Sequence, residues 1–277
     1  MTVQPRLAST IMLLRDQPAA ANGQGVEVFM VRRVIQSDFM PDVYVFPGGS
    51  ISNSDRDAEQ SDGLCRPISP GRADPEGRTA LGTGVRAAAI REVFEEAGVL
   101  LAYHDEQILA ISDAGVARYQ RYREAFQQRQ GSLIEMALAE RLTLATDQLH
   151  YFAHWITPEG MPKRFDTHFF IAIVPARQEA AYDRLETSAG AWINPAAALA
   201  DYERGEFPLV FATIHQLRDL AAFSSVQEAL AFTETHQVPV RMPVLEQKDG
   251  ATRVYLPDDA EHTWDVPEHM TKSKERS

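Results

Sequence analysis

The stretch that most constrains this chain is Arg91-Glu92-Val93-Phe94-Glu95-Glu96-Ala97-Gly98-Val99. The apolar run through Ala87, Ala88, Ala89, Ile90 and Val93 predicts a buried helix, opening after Gly82-Thr83-Gly84. On a helix, Glu92, Glu95 and Glu96 fall at i, i+3 and i+4 and share one face. Like charges so close together cost stability, so the pattern asks for positive charge among them. A divalent cation is the natural candidate, because hard cations such as Mg²⁺ take carboxylate and phosphate oxygens. Gly98 suits the left-handed position that ends a helix, and Val99, Leu100 and Leu101 return the chain to a core. Taken alone, a Glu-rich helix face is usually only solvated. The context decides.

That context is Phe46-Pro47-Gly48-Gly49 upstream and Val99-Leu100-Leu101 downstream. Together these segments resemble the Nudix hydrolases, whose motif is G-x5-E-x7-R-E-U-x-E-E-x-G-U with U aliphatic. Arg91 to Val99 matches every specified position of the second half, and Gly49 matches the opening glycine. The chain departs in two ways. A long insertion separates Gly49 from Arg91, and the position eight before Arg91 is Thr83, where the family has its first Glu. That Glu normally supports the motif Arg, so the partner of Arg91 is left open. Phe39 to Gly49, Trp155-Ile156-Thr157-Pro158 and Arg164 to Phe170 further resemble the mammalian peroxisomal acyl-CoA diphosphatase branch.

The resemblance implies an α/β fold, the Nudix α/β/α sandwich with a mixed sheet, a long insertion inside the motif and a C-terminal helical extension. It implies Mg²⁺ or Mn²⁺ held by Glu92, Glu95, Glu96 and the carbonyl of Gly49, with Arg91 orienting a carboxylate through a bidentate pair. Glu96 is the first choice of general base and Glu159, in a turn after a strand, the second. Arg32, Arg33 and Arg164 are candidates for phosphate contacts, Phe39 for stacking, and Asp166 for lining the site on one strand face with His168. The implied reaction is metal-dependent hydrolysis of a nucleoside-diphosphate-linked compound. CoA or acyl-CoA is the leading substrate, and NADH or ADP-ribose the alternative. A non-catalytic nucleotide sensor is the reading from another class.

Composition sets outer bounds. The 277 residues are 44% hydrophobic and 24% charged, enough for a substantial core. A net charge of −12 argues against general nucleic-acid or anionic-membrane binding. The lone Cys65 allows no internal disulfide and no cysteine zinc site. With no apolar run of membrane-spanning length, a cytoplasmic chain is expected, and a homodimer stays open.

Along the chain, Ala8–Leu14 and Val26–Val34 read as strands joined in a hairpin, and Val43–Phe46 as a third. Ser50–Gly84, rich in Asp, Ser, Gly and Pro, reads as an irregular exposed loop. Helices are expected over Tyr119–Arg129, Leu133–Glu140 and Pro195–Arg204, and over Pro208–Thr235 with a break near Ser224-Ser225. Tyr151–Ile156 and Ala191–Ile193 read as strands. Arg164–Val174 has apolar residues on both period-two faces, the mark of a central strand. The expected division is a domain over 1–237, with the insertion at 50–84 and helical extension at 195–237, and a tail at 238–277. The tail should hold a hairpin around Asp249-Gly250, then a disordered end.

Overall fold

The computed structural model describes residues 3–18, 25–35, 41–69, 74, 76–183, 186–248 and 250–267. Strand β1 (Arg6–Asp16) runs through the middle of an eight-stranded mixed sheet. Its Ile11 and Leu13 pack into one core and its Met12 and Leu14 into another, all without exposure. Burial on both faces is why the sequence reads as a continuous apolar run rather than an alternation. On one side β1 lies parallel to β9 (Phe165–Ile173), which pairs with β8 (His150–Ile156) and through it with short β11 (Val240–Arg241). On the other side it pairs with β2 (Val26–Arg33), which continues to β10 (Thr187–Ile193).

The pairing of β1 with β2 covers only Leu14–Asp16. At Ala8–Thr10 the same edge takes β4 (Gly48–Ser50) instead, while β3 (Tyr44–Val45) stays on β2. The sheet splits at this change of partner.

Helices cover both faces. On one lie α1 (Asn53–Gln60), α2 (Val85–Ala97), α3 (Asp113–Gln127) and α4 (Leu133–Glu140); on the other lie α5 (Pro195–Glu203), α6 (Phe211–Ala221) and α7 (Val226–Thr235). This is the α/β/α sandwich expected. The break between α6 and α7 falls where Ser225 accepts the Glu228 N–H as an N-cap, a satisfied helix start that a serine pair supplies. A small sheet of β5 (Ala102–His104), β6 (Gln107–Ile108) and β7 (Leu142–Leu144) flanks the first face.

Two segments depart from expectation. The insertion is not an exposed loop: α1 buries Ala58 fully, Leu64 is 5% exposed, and Leu64 and Arg66 exchange backbone hydrogen bonds with Leu144. Its few apolar residues carry no periodicity, so the sequence hides its anchorage. The tail does form a hairpin, β12 (Val244–Lys248) with β13 (Ala251–Leu256), but a third strand, β14 (Asp259–Asp265), joins it. Val254, Leu256 and Val266 are buried in the second core. The expected disordered end at 268–277 lies outside the described residues.

His215 gives this second core a pH dependence. Its ring lies 4.5 Å from Phe211 and 5.5 Å from Trp155, and burial pulls its pKa down to about 4. The unfolded chain, with an ordinary histidine, binds the proton more readily, so this contribution is complete above pH 6.5 and is lost as pH falls towards 4. Between pH 6.5 and 5 the loss is on the order of 2 kcal/mol. Denaturant midpoints across that range should fall in the native chain and fall less in His215→Phe; equal slopes would contradict this.

Candidate active site

The acidic helix is clamped at both ends by side chains from elsewhere. At its start, the Glu59 carboxylate accepts the N–H groups of Gly82 and Gly84 at 2.7 Å, Arg86 at 2.8 Å and Ala87 at 2.9 Å. A helix leaves its first N–H groups unpaired, and a carboxylate there also meets the positive end of the helix dipole. Gly84 caps at φ 82°, where a Cβ would strike Arg56 and Ile51 at 2.8 Å. At its end, Arg123 donates to the carbonyls of Glu95 and Glu96, both at 2.9 Å. Gly98 turns left-handed at φ 71° against that guanidinium. Fully buried Arg86 donates to the carbonyls of Thr79, Thr146 and Leu149, tying the end of the insertion to the core.

Between these clamps, one guanidinium organises the acids. Arg91 makes a bidentate pair with Asp55, Nε to Oδ1 at 2.9 Å and Nη2 to Oδ2 at 3.0 Å. Its Nη1 donates to Glu92 at 2.7 Å and Glu95 at 3.1 Å, and Nη2 also reaches the Ser50 carbonyl. Asp55 is 1% exposed and accepts the Ser52 N–H and hydroxyl as the capping box of α1. Glu96 accepts the Gly48 N–H at 3.1 Å.

The carboxylates are short of positive charge. Burial pushes Glu92 up to about 7 against the opposing pull of Arg91. Burial, then the charge of Glu92, raises Glu96 well above the ordinary carboxylate range. Glu95 is raised too, mainly by burial, with Arg91 opposing. Gly49 lies directly against this cluster: a Cβ there would meet the Glu92 carboxylate at 2.4 Å. An all-oxygen donor set, excess negative charge and a glycine backbone at contact distance fit a hard divalent cation. Glu92, Glu95, Glu96 and the Gly49 carbonyl are the residues that would hold it.

These acids open onto a cavity of about 830 Å³ at the sheet split, with Ala8, Thr10, Gly48 and Gly49 in its wall. A carboxylate cluster suited to a metal, at one end of a ligand-sized cleft, is an arrangement for chemistry on a charged substrate.

Comparison with known proteins agrees. A family model described as the NUDT19 Nudix domain matches residues 75–220, just over half of the chain. The chain belongs to the Nudix family. It is a hydrolase of pyrophosphate bonds, of the NUDT19 branch. Similar curated proteins include "Acyl-coenzyme A diphosphatase NUDT19" of Xenopus laevis, 28% identical over 273 residues, covering 86% of this chain and 72% of that protein. The Homo sapiens protein of the same name is 26% identical over 244 residues, covering 76% of this chain and 64% of its own. Among solved structures, a NUDIX hydrolase from Alicyclobacillus acidocaldarius superposes with a TM-score of 0.67 at 24% identity, covering 86% of this chain and 99% of that one.

Within this Nudix site, the missing first acid is found. Counting six residues on from Gly49 reaches Asp55, and it is Asp55 that grips Arg91. The insertion therefore follows the motif's first acid, and counting back from Arg91 to Thr83 measured from the wrong side of it. The signal was available as the Gly49–Asp55 spacing. Glu59 and Arg123 carried no such signal, because their partners are backbone atoms distant in sequence.

The other expected residues divide. Arg33 lines the cavity, and its charge opposes the rise at Glu96. Arg32 is outside the lining, paired with Asp42 at 2.9 Å. Arg164 is 6% exposed, and its guanidinium donates to the carbonyls of Thr157 and Val3, so it secures strand ends instead of facing the cavity. Glu159 is exposed and off the lining, although Pro158 and Met161 are in it. Phe39 lies outside the described residues.

Asp166 faces away from the cavity. It shares a face of β9 with His168 and Phe170, whereas Thr167 and Phe169 on the opposite face line the cavity. Asp166, His154 and His168 gather within 4.8 Å, a metal-compatible trio. However, Arg78 lies 3.0 Å from His154 Nδ1, and a guanidinium can only donate. His154 must then carry its proton on Nε2, aimed at Asp166 Oδ1 2.5 Å away. Both ring nitrogens of His154 are thereby engaged, and the insertion is pinned through Asp74 and Arg78 to the sheet.

Two predictions follow from these contacts. Asp55→Asn should lower kcat by roughly 10- to 100-fold, the usual cost of losing a group that orients metal ligands, whereas Asp55→Glu should retain most of the rate. Glu59→Gln should lower stability by about 2 kcal/mol, since an amide cannot accept from both edges. Steady-state kinetics and denaturant melts check each; an unaltered rate in Asp55→Asn would remove it from the site.

Proposed function

We propose that this Nudix hydrolase cleaves the diphosphate of CoA or acyl-CoA with Mg²⁺ or Mn²⁺, giving 3′,5′-ADP and 4′-phosphopantetheine or its acyl form. The observation that carries this reading is the Glu92/Glu95/Glu96 cluster opening onto one cavity of about 830 Å³ that also has apolar lining. A diphosphate between a nucleotide and an extended, partly apolar arm matches that layout, and the printed names of the relatives agree with it. Asp55 fills the first acid position of the motif and holds Arg91, which supports a catalytic site over a non-catalytic sensor.

The residues divide the work. Asp55 holds Arg91 in a fixed plane, and Arg91 holds Glu92 and Glu95. When bound, the divalent cation neutralises the diphosphate oxygens and assists attack at phosphorus. Arg33 adds positive charge in the cavity wall. Water attacks one phosphorus, the bridging P–O bond breaks, and the second phosphate departs with the bond electrons. Glu96 is the base assigned to the water's proton, because it lines the cavity beside Glu92 and Glu95.

The test is a panel of CoA, acyl-CoA, NADH, ADP-ribose and a nucleoside triphosphate, with products resolved by mass. The expected result is 3′,5′-ADP from the CoA compounds, lost on chelation and reduced more than about a hundredfold in Glu95→Gln. Cleavage of NADH or ADP-ribose alone would discard the CoA reading and keep the site. Full activity in Glu95→Gln would discard the metal assignment.

A further inference from the structure

The cavity has a second wall that the diphosphate chemistry does not use. Across from the carboxylates, its lining comes from the second core: Trp155, Met161, Phe169 and Phe211 on the main body. Facing them are Leu245, Val254, Trp264 and Val266, all from the small β12–β13–β14 sheet and the residue after it. That sheet is amphipathic in the way a cover should be. Leu245 and Val254 are directly paired across β12 and β13 and turn inward, while Glu246, Gln247 and Lys248 are exposed. Leu245 closes over the turn after β8, where its Cδ1 would lie 3.5 Å from a Cβ at Gly160. Trp264 is hydrogen-bonded to Tyr202, which ties the cover to α5. The tail thus builds half of an apolar chamber in the same cavity as the acids.

We propose that this chamber is the acyl subsite, and that the C-terminal three-stranded sheet sets which acyl-CoA the enzyme prefers. The inference rests on the CoA reading above and goes beyond it by naming the specificity element. Continuity with the carboxylates commits the chamber to part of the substrate bound there. Phosphates and pantetheine are polar and adenine gains only through its ring faces, so the acyl chain is the portion of such a substrate that gains most from an apolar chamber. Each methylene it buries is worth roughly a fourfold gain in affinity, up to the length at which the chamber is full.

The experiment uses the full chain and two readouts. First, kcat/KM is measured for CoA and for acetyl-, hexanoyl-, decanoyl- and palmitoyl-CoA. The expected result is a rise with chain length carried by KM, followed by a plateau. Second, tryptophan fluorescence is followed in EDTA, where no turnover occurs. Decanoyl-CoA should quench emission more than CoA does, and Trp264→Phe should diminish that difference. In Leu245→Trp and Val254→Trp, which narrow the chamber from different strands, the ratio of decanoyl-CoA to CoA kcat/KM should drop at least tenfold. A flat chain-length series, or variants that lower both substrates equally, would overturn the subsite while leaving CoA hydrolysis standing. Failure to cleave or bind any CoA compound would overturn both.

Discussion

One guanidinium makes the acidic helix tenable. Arg91 is the common partner of Asp55, Glu92 and Glu95. Several carboxylates in a space this small, largely removed from water, would ordinarily protonate or drive the helix apart. A single planar donor with a fixed fork can satisfy them because its N–H groups point in different directions. The compensation is incomplete, as the raised values of Glu92, Glu95 and Glu96 show. That remainder is what a divalent cation would relieve.

Such a helix needs its ends held from outside. The insertion supplies this on one side, sending Asp55 to Arg91 and Glu59 to the first turn of the helix. Arg123 from α3 does the equivalent at the other end. A negative group sits at the positive end of the dipole and a positive group at the negative end. What reads as an added loop is a brace, and Arg86 and Arg78 fasten its far side to the core and to His154 on β8. Orientation of the acidic face thus depends on Asp55, Glu59 and Arg123, which lie outside the cavity lining.

The split in the sheet gives this face something to act upon. Because β1 exchanges β2 for β4 midway, space opens between the acids on one side of the sheet and the second core on the other. The C-terminal sheet then lines that space with apolar residues. Acidic and apolar side chains thus come to share one cavity.

Local periodicity made much of the fold legible. A short apolar run marked β1 as a strand, two-sided apolar periodicity marked β9 as a central one, and the serine pair marked the α6–α7 break. The spacing of Glu92, Glu95 and Glu96 placed them on one helix face and identified the chemistry they suit. Partner choice was not legible. Arg164 and Asp166 looked available as site residues, yet one is committed to backbone carbonyls and the other to a histidine on the next strand. Asp55 stood at the right spacing from Gly49, but its meaning depended on where the insertion began. By itself, then, the sequence determined the acids, their spacing and the strands that flank them, since these follow from helical and strand periods within a few residues. Only the tertiary structure decided which charge answers which, that the insertion is a brace, and that the tail walls the cavity. Those depend on contacts between distant segments, and local periodicity carries no information about them.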